Sequence, residues 1–341
     1  MDKVGKLLKF KRTILFLLIT SGWVGAPQVS ADGPDFSVSP RIIEMVDELA
    51  SDEGFDRREL LHLLGQAEFK QSIIDAITRP AEKTLAWYEY RKIFVTDKRT
   101  ARGVAFWEEH APTLARAEQT YGVSAEIIAA IIGVETYYGR QKGGYRVLDA
   151  LATLAASDYR RNDFFRNQLK AFLILSRDEK QDPREAVGSY AGAIGIPQFI
   201  PTSFQHYAVD FDGDGRRDLV NNVADAIGSV GNYLAEHGWQ RGEPVLHYVD
   251  YPYQSDDSLL ERGYKPHSAV SELRSLGVTW PADSKVDQKR QAAVIALGQR
   301  RGHTMVATYD NFYAITRYNH SPLYAMAVFQ LSESLRAGRQ R

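Results

Sequence analysis

Cysteine is absent from the 341-residue chain. Its absence excludes disulfides, thiolate metal sites, a cysteine nucleophile and a lipid-modified N-terminal cysteine. Basic charge is not in excess, the formal net charge being −1. No basic tract is interleaved with aromatics, so nucleic acid is not an expected partner. There is no internal repeat and no low-complexity tract. What remains has the apolar and charged fractions of an ordinary soluble protein, 44% and 25%, and allows one large domain or two to three smaller ones.

The first residues stand apart. Lys3, Lys6, Lys9, Lys11 and Arg12 make a basic segment, Ile14–Ile19 (ILFLLI) a short apolar one, and Val29-Ser30-Ala31 places small residues where a signal peptidase reads. Residues 1–31 are therefore expected to be a cleaved secretory signal. An uncleaved anchor is the alternative, disfavoured because a span needs about 20 apolar residues. Cleavage would leave an excess of about five acidic groups, further from nucleic-acid binding.

Beyond a short start at 32–39 the pattern turns helical. Ile42, Ile43, Val46 and Leu49 share a face up to Gly54, Leu60–Leu64 mark a second helix, and Ile73–Ile77 a third before Arg79-Pro80. Trp87–Arg91 is an aromatic and basic cluster. Val104–Tyr121 is helical, with Pro112 either kinking it or starting its second half. Further helices are expected at Leu148–Leu154, Phe164–Leu175 and Leu323–Leu335. Val245–Val249 and Met305–Tyr309 read as strands with a helix at Val270–Leu276 between them. The fold class is mainly α (α+β). The expected division is a helical domain at 32–80 joined by the C-terminal helix 322–341, a core at 81–240, a small β-containing domain at 241–313, and a closing segment at 314–341.

The stretch Ile127–Arg140 (IIAAIIGVETYYGR) carries the sharpest signal. Eight residues without charge or polar side chain, enough for two turns buried all round, run into Glu135. Ser124 is placed to cap the start and Gly139 to end the helix. A glutamate at the edge of a dry rod is expected to have a raised pKa, which suits a general acid. The competing reading is a structural glutamate paired with Arg140 or Arg146.

Two other segments stand out. Gly188–Gly195 (GSYAGAIG) is built of small residues, which permit close backbone approach to a ligand or to a helix, and two prolines frame Gln198 just beyond. Asp210-Phe211-Asp212-Gly213-Asp214-Gly215 has aspartates at loop positions 1, 3 and 5 and glycine at 6, the opening of a calcium loop. Arg216 at position 7 would offer its backbone carbonyl, and Asp218 at position 9 a direct or water-borne ligand. Position 12 is Asn221 where a glutamate is expected, and Asp225 is the candidate for the missing carboxylate. A structural Ca²⁺ fits this set better than magnesium or zinc. A solvated acidic turn is the alternative.

Taken together, GVETYYGR at 133–140, VLDALATLA at 147–155, GSYAGAIGIPQFIPTSF at 188–204, YAVDFDGDG at 207–215, DAIGSVGNYLAEHGW at 225–239 and AITRYNHSPLYAMAV at 314–328 resemble the lytic murein transglycosylase B family of bacterial cell-wall enzymes. The resemblance implies a lysozyme-like helical core flanked by small helical and β-containing domains. It implies cleavage of the β-1,4 bond between N-acetylmuramic acid and N-acetylglucosamine, with the muramic acid's own C6 hydroxyl as nucleophile. Glu135 would be the sole acid and base. Ser189 and Gln198 would hydrogen-bond the sugar, Tyr90, Tyr233, Tyr318 and Tyr324 with Phe199 would line the glycan groove, and Asn319 would bond an N-acetyl group. Asp210, Asp212, Asp214 and Asp225, with the Arg216 carbonyl, would hold calcium, and no organic cofactor is implied. Because one residue more than the family spacing precedes Asp225, its assignment is the weakest of these. The partner implied is the peptidoglycan glycan strand, with cell-wall synthesis proteins as further candidates. With no cysteine to lipidate, a soluble periplasmic form without stable membrane insertion is expected.

Most glycosidases set two carboxylates across the bond. No second acid here has surroundings like those of Glu135; Asp149, Asp158 and Asp163 are the nearest candidates, each in an ordinary polar segment. A hydrolytic muramidase on the same scaffold and a non-catalytic peptidoglycan-binding protein are the rival readings.

Overall fold

Helix boundaries follow the punctuation in the chain. Pro40, tolerated in a first turn because its missing N–H is unneeded there, opens α1 (Pro40–Glu53), which ends at left-handed Gly54. Asp56 accepts from the amides of Arg58 and Glu59 and so caps α2 (Arg57–Leu64). After α3 (Gln71–Ile77) come α4 (Trp87–Phe94), α5 (Asp97–Glu109) and α6 (Ala111–Tyr121). Pro112 lies in the first turn of α6, so it starts a new helix and does not kink an old one. The computed structural model describes residues 35–78, 85–253 and 257–340. The signal-like residues 1–31 and the Arg79-Pro80 boundary lie outside the described residues. No helix among the described residues is long and apolar enough to cross a membrane.

The central helix is α7 (Ala125–Thr136), in which every residue except Glu126 and Glu135 is buried. A helix that is apolar all round must be wrapped, and α5, α6, α11 (Val223–Glu236) and α15 (Pro322–Arg339) wrap it. Ser124 precedes α7 as expected, but its side chain makes no capping bond. The helix also stops earlier than Gly139. Tyr137 and Tyr138 both take left-handed backbone, φ 51° and 61°, and end it at Thr136.

Around this core lie α8 (Val147–Ala156), α9 (Asn162–Asp178) and α10 (Pro201–Tyr207). α1 packs on α8 and α9. The C-terminal helix does not join α1–α3 as expected: its principal neighbours are α7, α5, α4 and α14 (Asp310–Tyr318). The reason is its apolar face, where Tyr324, Ala325, Val328, Leu331 and Leu335 are buried. The boundary expected at 313/314 runs through the middle of α14. Asn311, fully buried near the start of that helix, accepts from the Gln240 amide and donates to the carbonyls of Gln240 and Glu243.

A two-stranded ribbon pairs β1 (Tyr145–Arg146) with β2 (Val187–Gly188). The larger sheet is antiparallel, in the order β3 (Leu246–Tyr248), β6 (His303–Thr308), β5 (Gln291–Gly298), β4 (Ser268–Ala269), with Ile295 opposite Val306. It covers a smaller core of its own that includes Val270, Leu273, Val294, Met305 and Tyr309, together with α13 (Val270–Ser275) and the short α12 (Ser258–Glu261). β5 has no counterpart among the expected strands. Four consecutive residues, Ala292–Ile295, are buried, so the alternation that marks a half-exposed strand is missing.

Candidate active site

Glu135 sits half-buried at the C-terminal end of α7. Three contacts fix that end. The Arg99 guanidinium donates to the Gly133 carbonyl at 2.5 Å, placing a cation where the helix dipole is negative. Thr136 Oγ1 donates to the Ile196 carbonyl at 2.8 Å, and the Gly139 amide donates to Thr136 Oγ1 at 3.0 Å. Neither Arg99 nor Thr136 was singled out in the sequence. Arg99 lies in a polar first turn of α5 among other charges, where periodicity does not distinguish an inward cation from a solvated one.

The structural alternative for Glu135 loses one of its partners. Arg146 is committed to Asp149, donating to both carboxylate oxygens at 2.9 and 2.6 Å. Asp149 also accepts from the Glu68 amide and is 3% exposed, so it does not lie in the ordinary polar segment expected of it. Glu135 meets Tyr324, whose hydroxyl donates to Oε1 at 2.6 Å.

The small-residue segment forms the adjoining wall. Ser189 Oγ accepts from the amides of Ala191 and Ala193, closing a tight loop. Ile194 and Phe199 exchange both backbone hydrogen bonds around a turn with Gln198 at φ 53°. In that turn Gly195 has φ 74°, and a Cβ there would lie 2.3 Å from the Leu219 carbonyl oxygen, so only glycine fits. The Gln198 amide donates to the Gly195 carbonyl at 2.8 Å and to the Lys142 carbonyl at 3.2 Å.

The aromatic residues cluster beside this wall. Tyr233 and Tyr318 lie 4.7 Å apart between ring centres, Phe199 is 5.5 and 5.8 Å from them, and Tyr318 stacks near-parallel on Tyr324 at 6.3 Å. The Tyr318 hydroxyl donates to the Pro197 carbonyl and the Tyr233 hydroxyl to that of Arg317. Burial raises the phenol pKa of Tyr233, Tyr318 and Tyr324 well above the ordinary value, and the charge of Glu135 adds to the shift of each. All three are therefore neutral donors at neutral pH. Tyr90, Phe199 and Tyr324 are 1–2% exposed. They back the site as a packed wall and do not present open faces. Asn319, by contrast, lines a cleft of about 1200 Å³ together with Tyr190, Pro322 and residues of α3 and 156–161.

The acidic loop leads into Leu219, whose carbonyl accepts from the Ile196 amide of that wall. Ligand oxygens of Asp210, Asp212 and Asp214 come within 4.8 Å of one another. Asp210 accepts from the amides of Gly213, Asp214 and Gly215, which curls the loop around it, and the Arg216 amide donates to Asp214. Three hard oxygen donors on one curled loop fit a calcium ion. Asp225 is not in that cluster. It is fully buried in the first turn of α11, where Oδ1 accepts from the Phe211 amide at 2.7 Å and Oδ2 from the Asp218 amide at 2.8 Å. Its place is behind the loop as a brace. Asp218 faces the amides of Val220 and Asn221.

Residues 38–333 match the family model described as a transglycosylase SLT domain. The chain belongs to the lytic murein transglycosylase B family. It is 40% identical to the membrane-bound lytic murein transglycosylase B of Escherichia coli K12, over 94% of this chain and 90% of that one. Its fold is similar to soluble lytic transglycosylase SltB1 of Pseudomonas aeruginosa, with a TM-score of 0.82 and 46% identity over 89% of this chain and all of the other. It is likewise similar to the E. coli lytic transglycosylase Slt35 in complex with calcium, with a TM-score of 0.83 and 40% identity over 91% and 96% of the two chains. The fold is mainly helical and lysozyme-like, and the chain is a lytic murein transglycosylase.

Proposed function

We propose that this enzyme cleaves the bond between N-acetylmuramic acid and N-acetylglucosamine without water, and that Glu135 acts first as acid and then as base. The observation that carries the reading is the Tyr324 hydroxyl aimed at Glu135 Oε1. In the first step protonated Glu135 gives its proton to the glycosidic oxygen as the C1–O bond breaks. The carboxylate so formed is the charge state that a hydrogen-bond donor favours. In the second step that carboxylate takes the proton of the C6 hydroxyl as O6 bonds to C1, leaving a 1,6-anhydro end and a protonated Glu135.

Ser189, Gln198 and Asn319 are the polar groups assigned to the sugar, with the tyrosines and Phe199 holding the wall behind them. Among the described residues, the three other acids considered for the role do not match it, which supports the non-hydrolytic course. Asp149 is neutralised by Arg146, and Asp158 and Asp163 are exposed. Calcium held by Asp210, Asp212 and Asp214 would neutralise the repulsion among them and fix the loop. The site of action is the periplasm, reached by the N-terminal signal.

Digestion of purified sacculi followed by mass spectrometry tests the reaction. Anhydro ends are expected, and reducing ends in their place would establish a hydrolase. Glu135→Gln should still bind sacculi but no longer clear them; retained clearing would remove Glu135 from the mechanism.

A further inference from the structure

Gln198 has two holds, and they differ in kind. The bond to the Gly195 carbonyl is made within its own turn. The bond to the Lys142 carbonyl comes from another part of the chain, the loop that follows α7. That loop is itself pinned by the side chain of the same lysine, whose Nζ donates to the Val220 carbonyl at 2.8 Å. Val220 in turn gives its amide to Asp218 Oδ1 at 2.8 Å, and the Asp218 amide goes to buried Asp225. A continuous run of hydrogen bonds thus leads from Asp225 through Asp218, Val220 and Lys142 to Gln198. The next residue leaves no slack: a Cβ on Gly143, at φ 98°, would lie 2.0 Å from the Gly188 carbonyl oxygen, beside Ser189.

We propose that Lys142 is a positioning residue, whose ammonium clamps the loop after α7 onto Val220 so that its own carbonyl holds the Gln198 amide toward the glycan. A surface lysine ordinarily leaves its ammonium in water. Here the residue is half-buried and the ammonium is spent on a backbone carbonyl. The two ends of one residue therefore join the acidic-loop region to the glycan wall. The proposal rests on Gln198 being a sugar-binding residue, as assigned above.

The test is steady-state kinetics on peptide-free glycan strands, with Lys142→Met, Lys142→Arg, Gln198→Ala and the Lys142→Met/Gln198→Ala double variant, each shown to melt cooperatively. Should Lys142→Met fail that check, Lys142→Gln replaces it. Lys142→Met is expected to raise KM about tenfold, the size of one hydrogen bond, with kcat little changed. Lys142→Arg, which keeps a donor, should restore KM. The double variant should bind no worse than Gln198→Ala alone. An unchanged KM in Lys142→Met, or effects that add in the double variant, would overturn the clamp while leaving Gln198 in place. If Gln198→Ala itself leaves KM unchanged, the assignment of Gln198 fails and the clamp falls with it.

Discussion

Tyr324 and Glu135 stand 189 residues apart in the chain and 2.6 Å apart in the fold, phenol to carboxylate. The phenol is buried and its pKa is raised, so it stays a donor across the working range. The glutamate lies in the last turn of α7 and the tyrosine in the first turn of α15, and these two helices pack against each other directly.

Tyr324→Phe keeps the ring and removes the donor. A hydrogen bond to a charged group contributes about 1.5–3 kcal/mol, so a fall in kcat of roughly ten- to a hundredfold is expected. Release of soluble product from sacculi measures it. An undiminished rate would show that the bond plays no part in turnover.

Gly195→Ala should damage both stability and turnover. The substitution meets a left-handed backbone and an oxygen 2.3 Å away, and the strain together is expected to cost about 2 kcal/mol or more. Thermal melting reads the first effect. Because Gly195 also accepts from the Gln198 amide, the surviving folded enzyme should show a higher KM.

Asp225 and the three loop aspartates should separate in a melting experiment with and without a chelator. If calcium sits on Asp210, Asp212 and Asp214, chelation lowers the midpoint, since a ligand of the native state alone stabilises it. Asp225→Ala strands two amides, at about 1–3 kcal/mol each, and should lower the midpoint even in chelator. An unchanged midpoint on chelation would remove calcium from the loop.

Acidification from pH 7 toward 5 should destabilise the fold. Burial lowers the pKa of His110, His237, His247 and His267 below the ordinary 6.5. The unfolded chain takes up protons near 6.5 and the native chain only at lower pH, so between those values the unfolded state binds more. The stabilisation is complete above the unfolded value and is lost as pH falls through the native ones. Melting midpoints at pH 7.5 and 5.5 check the direction, and a higher midpoint at 5.5 would contradict it.

How far these features were legible depends on whether they leave a local trace. α7 was legible because an uncharged octet ending in one acid has few other uses. The acidic loop was legible by spacing, whereas the amides that Asp225 accepts were not: a carboxylate bracing amides and one binding a metal have the same letter. β5 was missed because burial removes alternation, and α14 because the composition shift around residue 313 hides a helix tied down by Asn311. The end of α7 was misplaced for a different reason. Two tyrosines in left-handed backbone are held there by tertiary packing, and a glycine two residues on looks like the better stop.

The packing of α15 against α7 also sets the order in which the machinery is assembled. A chain delivered N-terminus first, through a ribosome tunnel or a translocation pore, exposes Glu135 long before Tyr318 and Tyr324 emerge. Any length that ends between those residues has the carboxylate without its phenol donor. The Tyr324–Glu135 contact therefore forms only once the first turn of α15 has been delivered.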